Sequence, residues 1–141
     1  MMGNLLKLKY LLAAIVSLVL LFGCATPDNQ TEEPVWGKQP CAHCAMLLTE
    51  PGHGAQLVSK AGDRLFFDDL GCLVAWELER PNKFAYHWVR RQDGQGWLVA
   101  DQAHYQRALH TPMDFGFVAV PGTGDADWPQ VVAAVRRKLA Q

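Results

Sequence analysis

The hydrophobic pattern predicts a hairpin of two strands followed by a short helix in the middle of the chain. Apolar and polar residues alternate over residues 55–60 and 64–68, and a turn sequence separates the two runs. Asp68 or Asp69 then stands where a helix N-cap belongs. Apolar residues recur on one side of the following segment until Pro81 ends it.

The rest of the chain predicts three further strands and two further helical segments. The strands are predicted at 84–89, 96–100 and 115–120, and the helical segments at 101–109 and from Asp127 onward. This order of elements indicates an α+β fold.

Residues 1–23 have the layout of a signal peptide. A weakly basic stretch precedes an apolar run over residues 10–22, which is shorter than the roughly 20 residues that cross a bilayer as a helix. The run ends at Gly23 and Cys24, a border that resembles the lipobox of bacterial lipoproteins. We therefore expect cleavage before Cys24 and acylation of this cysteine, which anchors the mature chain to a membrane. A cleaved signal peptide with an incidental cysteine is the alternative.

Composition after this leader is that of an ordinary globular protein. The mature chain would hold 118 residues with 11 basic and 14 acidic side chains, and it has no basic stripe of the kind that binds nucleic acid. Residues 24–40 are rich in proline and polar groups and predict a flexible tether. Residues 41–141 then form the folded part.

The strongest chemical feature is a cluster of soft ligands directly after the predicted tether. Cys41 and Cys44 stand at C-x-x-C spacing, with His43 between them and Met46 close behind. A set of thiolates and a thioether selects Cu(I) among the metals that a periplasm offers, whereas zinc prefers thiolate and imidazole. The cluster therefore predicts a Cu(I) site.

Other uses of a C-x-x-C pair stay open at this point. A structural zinc site needs a second pair of ligands, and the sequence offers only the lone Cys72. A thioredoxin-like redox pair follows a strand and opens a helix, whereas this pair follows a polar segment. A plain disulfide between Cys41 and Cys44 would leave Met46 without a role. Covalent haem attachment is excluded because Ala45, not histidine, follows the second cysteine.

Three further residues carry weaker indications. Cys72 lies on the apolar side of its predicted helix, which favours a buried core cysteine over a metal or redox role. Met113 follows a proline in a predicted turn, and on composition alone a lone methionine is more often core filler than ligand. His110 lies three residues before Met113 and, like His43, could supply a nitrogen ligand.

Taken together, four segments resemble the NosL family, lipoproteins known as nitrous oxide reductase accessory proteins. The segments are the lipobox cysteine Cys24, the Cys41-x-x-Cys44-x-Met46 motif, the segment from Phe67 through Cys72 to Trp76, and Thr111-Pro112-Met113 leading into residues 115–119. The resemblance implies a Cu(I) chaperone with two small ββαβ-type repeated halves, to which this chain adds a C-terminal helix.

The resemblance also implies a ligand set. Cys44, Met46 and Met113 match the family's motif residues and are the expected Cu(I) ligands, and Cys41 shares the metal or guards it. Two positions depart from the family pattern, since Ala45 and Asp114 replace glycines. A missing glycine restricts the backbone where it must turn.

We therefore expect a carrier rather than an enzyme, lipid-anchored on the periplasmic face of a bacterial membrane. Its partner would be nitrous oxide reductase, another periplasmic copper enzyme, or the assembly machinery of either. Ala25 after the lipobox favours the outer membrane, although a copper-exporting partner would lie in the inner one. The alternative is a membrane-tethered thiol-disulfide oxidoreductase that uses Cys41 and Cys44.

Overall fold

A computed structural model of the protein describes residues 7–10, which are helical, and residues 27–141. The elements of the second range are β1 Ala55–Ser59, β2 Arg64–Phe67, α1 Leu70–Glu79, β3 Phe84–Arg90, β4 Trp97–Val99, β5 His104–Arg107, β6 Phe117–Val120 and α2 Trp128–Leu139, with short 3-10 turns at Pro51–His53 and Ala100–Gln102. Cys24 and most of the expected signal peptide lie outside the described residues. Within the two described ranges, no helix is long and apolar enough to cross a membrane.

The larger sheet is antiparallel and has the strand order β2-β1-β3-β4. The predicted hairpin is confirmed, because Ala55 pairs with Phe67 and the register continues along β1 and β2 to the turn. Every residue of β1 is buried, so both faces of this central strand are covered. Ala55 and Leu57 point into a core that includes the buried residues of α1.

Helix α1 begins where the sequence predicts. Asp69 is its N-cap, and the Asp69 carboxylate accepts a hydrogen bond from the backbone N–H of Gly71 at 2.8 Å. All residues from Leu70 to Trp76 are buried, so the first two turns of this helix lie inside the domain. A side chain in its first turn is therefore held in one position by the core around it.

The helical segment predicted over residues 101–109 is wrong. Only Ala100–Gln102 forms a 3-10 turn, and β5 follows it and pairs antiparallel with β6, so that Tyr105 lies opposite Ala119. Tyr105 is fully buried and its hydroxyl donates to the carbonyl of Ala100 at 2.6 Å. The backbone pairing with β6, a partner distant in sequence, outweighs the local preference for a helix.

The α+β class and the C-terminal helix are confirmed. Helix α2 begins with a complete capping box between Asp127 and Gln130 and buries Trp128, Val131 and Val135. The first half of the domain has the order β1-β2-α1-β3, which is ββαβ. The second half runs β4-β5-β6-α2, so its strands precede its helix.

The segment expected to be a flexible tether lies against the large sheet from Asp28 onward. We call residues 28–36 the strap. The backbone N–H of Glu32 donates to the side-chain oxygen Oε1 of Gln56 at 3.0 Å. The side-chain nitrogen Nε2 of Gln56 donates in turn to the Glu32 carbonyl, also at 3.0 Å. This pairing explains why Gln56, in the middle of β1, is fully buried. The strap therefore covers the face of the sheet opposite α1.

Charged and aromatic contacts continue this packing across all four strands. Arg64 of β2 pairs with Asp28 and Glu32 at 3.5 and 3.2 Å. Arg90 of β3 pairs with Glu33, and the indole N–H of Trp97 in β4 donates to the same carboxylate. Trp36 at the end of the strap packs against the core beside Gly54. The described part of this segment is thus a layer of the domain.

Candidate metal centre

Three cysteines of the described chain meet at one point. The sulfur atoms of Cys41, Cys44 and Cys72 all lie within 4.8 Å of one another. None of the three forms a disulfide. Cys41 and Cys44 belong to the loop before β1, and Cys72 is the third residue of α1. We call this group the three-cysteine cluster.

The loop that carries Cys41 and Cys44 is closed by its own backbone. The N–H of Cys41 donates to the Met46 carbonyl at 2.7 Å, and the N–H of Ala45 donates to the Cys41 carbonyl at 3.0 Å. The N–H of Ala42 donates to the carbonyl of Phe66 in β2 at 2.8 Å and fixes the loop on the sheet. These hydrogen bonds turn the loop back on itself, so that the sulfurs of Cys41 and Cys44 both lie next to Cys72 of α1.

Ala45 holds the turn in a left-handed backbone conformation, with φ of 64°. This conformation places Cβ close to a backbone oxygen and costs a residue other than glycine about 1 to 2 kcal/mol. We expect Ala45→Gly to raise the free energy of unfolding by up to about 1 kcal/mol, because glycine also loses more entropy on folding. Urea denaturation measures this change.

A matched control is Asp114→Gly, at the second position that departs from the family pattern. Asp114 has φ of 57°, but aspartate tolerates the left-handed region better than alanine does. We expect a smaller gain for Asp114→Gly than for Ala45→Gly. A loss of stability in Ala45→Gly would contradict the assignment of strain to this turn.

The pKa values of the three cysteines differ, so that one is a thiolate at neutral pH and two are thiols. A hydrogen bond from the Cys72 thiol, aided by backbone N–H groups, lowers the pKa of Cys41 to about 5, against the opposing effect of burial. The same hydrogen bond and burial raise the pKa of Cys72 well above its ordinary value. Burial raises the pKa of Cys44. At neutral pH the cluster therefore holds one negative charge, on Cys41.

A titration should show this separation directly. We expect one thiolate to form near pH 5, seen as ultraviolet absorbance, while the other two thiols stay protonated until above pH 9. Since folding lowers the pKa of Cys41 from 9.0, this group adds stability as the pH rises from about 5 to 9, and the contribution is lost below pH 5.

Two variants assign the titration steps. Cys41→Ala should remove the step near pH 5. Cys72→Ala should move that step to higher pH, because it removes the hydrogen bond to the Cys41 sulfur. A single step for all three thiols near pH 9 would contradict the asymmetry of the cluster.

The four ligands predicted from the sequence lie in different surroundings in the structure. Cys41 and Cys44 are together, as expected for a paired site. Met46 follows the cluster and is 51% exposed. Met113 is half-buried and packs against the core. Each of the four stays a predicted ligand, and the structure adds Cys72 as a fifth candidate.

Cys72 is buried, as the sequence predicts. Its sulfur faces the other two cysteines, which the apolar pattern of α1 does not indicate. Neither of the two histidines weighed as nitrogen ligands belongs to the group of three sulfurs: His43 approaches Glu79 at 3.8 Å, and His110 is exposed. Within residues 7–10 and 27–141, no second group of cysteine, histidine or carboxylate side chains is arranged to hold a metal.

Comparisons with known proteins identify a shared fold. No family model matches this sequence, and no curated protein is detectably similar to it. Among solved structures, the chain is similar to the crystal structure of the copper chaperone NosL from Shewanella denitrificans. The two are 18% identical, with a TM-score of 0.60 over 79% of this chain and 89% of that one. At the level of fold, the resemblance inferred from the sequence is confirmed.

Proposed function

We propose that this chain is a carrier of Cu(I) that holds its cargo at the three-cysteine cluster. The observation that carries the proposal is the convergence of three sulfurs within 4.8 Å. It is supported by the shared fold with a protein described as a copper chaperone. Soft thiolates are the ligands that Cu(I) prefers.

The cluster has the properties that a carrier needs. Cys41 is already a thiolate and supplies the first strong ligand without losing a proton. Cys44 is half-buried, so it forms the side of the cluster that an incoming ion reaches first. Cys72 must lose its proton to bind the metal, so the affinity for Cu(I) rises with pH.

Met46 and Met113 are proposed as weaker Cu(I) ligands that are replaced first when the ion passes to a partner. Thioethers bind Cu(I) but carry no charge, so they compete with a thiolate only when held close to the metal. The exposed side chain of Met46 is available to a partner that approaches the cluster. A metal can then move between proteins by replacing one ligand at a time.

We further propose that the chain works on the periplasmic face of a bacterial membrane, anchored through a lipid on Cys24. Its client would be nitrous oxide reductase or another periplasmic copper enzyme. The chain would bind and release the ion without transforming it, and so act as a carrier rather than an enzyme.

A Cu(I) titration of the full chain in detergent, against a competing chelator and without oxygen, tests the proposal. We expect one tightly bound Cu(I) per chain and weaker binding in both Met46→Ala and Met113→Ala. A matched titration with Zn²⁺ should show weaker binding. Absence of Cu(I) binding, together with reduction of disulfides in a model substrate, would instead support the thiol-disulfide oxidoreductase.

A further inference from the structure

Asp69 lies where the helix of Cys72 meets the loop of Met113. We infer that Asp69 is a positioning residue that holds Met113 beside the three-cysteine cluster, so that the thioether is presented to the bound ion. The inference rests on the proposed Cu(I) function. It is drawn from the contacts of Asp69, which is 1% exposed.

Both oxygens of the Asp69 carboxylate are used. One accepts the backbone N–H of Gly71 at 2.8 Å and caps α1. The other accepts the hydroxyl of Thr111 at 2.6 Å and the backbone N–H of Met113 at 3.0 Å. The Asp69 carbonyl also accepts the N–H of Cys72 at 2.9 Å. Cys72 and Met113 are therefore both hydrogen-bonded to one buried residue.

The loop that holds Met113 is itself closed around Thr111. The Thr111 hydroxyl accepts the N–H of Gly116 at 3.2 Å, and the Thr111 carbonyl accepts the N–H of Asp114 at 2.9 Å. Phe115 presses on the first turn of α1, since a Cβ on Gly71 would lie 2.0 Å from its ring. The loop and the helix therefore have one relative position.

An N-cap alone does not require this arrangement. A cap needs one acceptor, and serine, asparagine or aspartate supply it equally well. Three donors converge on one buried carboxylate, and its two oxygens together provide the acceptor sites that they need. The second oxygen therefore serves the Met113 loop, and it does so one helical turn from Cys72.

The test uses the full chain in detergent with ¹³C-methyl methionine, loaded with one equivalent of Cu(I). The chain has four methionines, and Met46→Leu and Met113→Leu identify the methyl signals of these two residues among them. In the wild type we expect the Met113 methyl to shift on loading. In Thr111→Val, which keeps the side-chain shape but removes the hydroxyl, this shift should be lost. Thr111→Ser keeps the hydroxyl and should restore it.

Affinity supplies a second readout. Thr111→Val should weaken Cu(I) binding about tenfold, the range typical for residues that orient a ligand. Because the effect passes through Met113, the double variant Thr111→Val with Met113→Leu should bind no more weakly than Met113→Leu alone. Asp69→Asn keeps an oxygen that can cap the helix and provides a second test. It should lose the Met113 methyl shift and bind Cu(I) more weakly, as Thr111→Val does, so the inference stays testable even if Thr111→Val folds poorly.

The possible outcomes distinguish a failure of the proposed Cu(I) carrier function from a failure of the positioning role of Asp69. A wild-type chain that binds Cu(I) without a response of the Met113 methyl overturns this inference and leaves the carrier function standing. The inference is also overturned if the Met113 shift survives in Thr111→Val and Asp69→Asn, or if the losses of affinity add. A wild-type chain that binds no Cu(I) overturns the proposed function and this inference with it.

Discussion

Replacing Cys72 by alanine is expected to weaken Cu(I) binding on the order of 100-fold, equivalent to about 2.7 kcal/mol. The cluster would lose one of three converging sulfurs, and Cys41 would lose the hydrogen bond that keeps it ionised. Competition with a Cu(I) chelator over a range of pH measures the effect. The affinity of both proteins should rise with pH, because protonated thiols must lose a proton to bind the metal: Cys44 and Cys72 in the wild type, and Cys44 and the less acidic Cys41 in the variant.

A matched control separates the metal from the packing. Val74→Ala removes two methyl groups from a side chain that is fully buried in the same helix and carries no sulfur. Both variants should lower the free energy of unfolding, and only Cys72→Ala should lower the affinity for Cu(I). Equal affinities in Cys72→Ala and the wild type would show that Cys72 is a core residue only and would remove it from the site.

Removal of the strap is expected to lower the stability of the domain by roughly 4 kcal/mol. A chain that begins at Gly37 loses Trp36, a half-buried residue whose truncation costs about half of the 3 to 5 kcal/mol typical of a fully buried one, and it leaves the amide of Gln56 without its partner. Since small domains have only about 5 to 15 kcal/mol in total, the shortened chain would be marginally folded. Thermal unfolding of chains beginning at residues 27 and 37 measures the difference.

The charges of the strap can be tested apart from its packing. Asp28→Asn with Glu32→Gln removes both ion pairs to Arg64 but keeps the backbone bonds of Glu32 to Gln56. Ion pairs whose carboxylates are exposed to solvent contribute little, so this double variant should lose less than about 1 kcal/mol. A chain from residue 37 that is as stable as one from residue 27 would show that the strap contributes nothing to the stability of the domain.

The elements that the sequence predicts correctly are those with local causes. The hairpin of β1 and β2 follows from alternation around a turn, and α1 follows from an N-cap and an apolar face. Strand β5 has no such local cause. Its residues pair with β6, and Tyr105 is buried by α2 and the turn at Ala100, so its conformation depends on partners distant in sequence.

The candidate site also has a part that the local sequence predicts and a part that only the folded chain brings together. The pair of Cys41 and Cys44 is visible as a motif, whereas the third sulfur comes from α1 and joins the pair only in the folded chain. The amphipathic pattern of α1 correctly predicts that Cys72 is buried, but it cannot say which loop lies above it. Likewise, the polar composition of the strap conceals that Gln56 and two arginines provide polar partners for it.

The docked strap changes the kind of attachment that a lipid on Cys24 would give. If the domain begins at Asp28, only three residues separate it from the acylated cysteine, and an extended chain over that distance covers no more than about 14 Å. The domain would then be confined near the bilayer surface and unable to tumble freely. Its search for a donor or a client would be two-dimensional, so encounter rates would depend on lateral diffusion within a single leaflet.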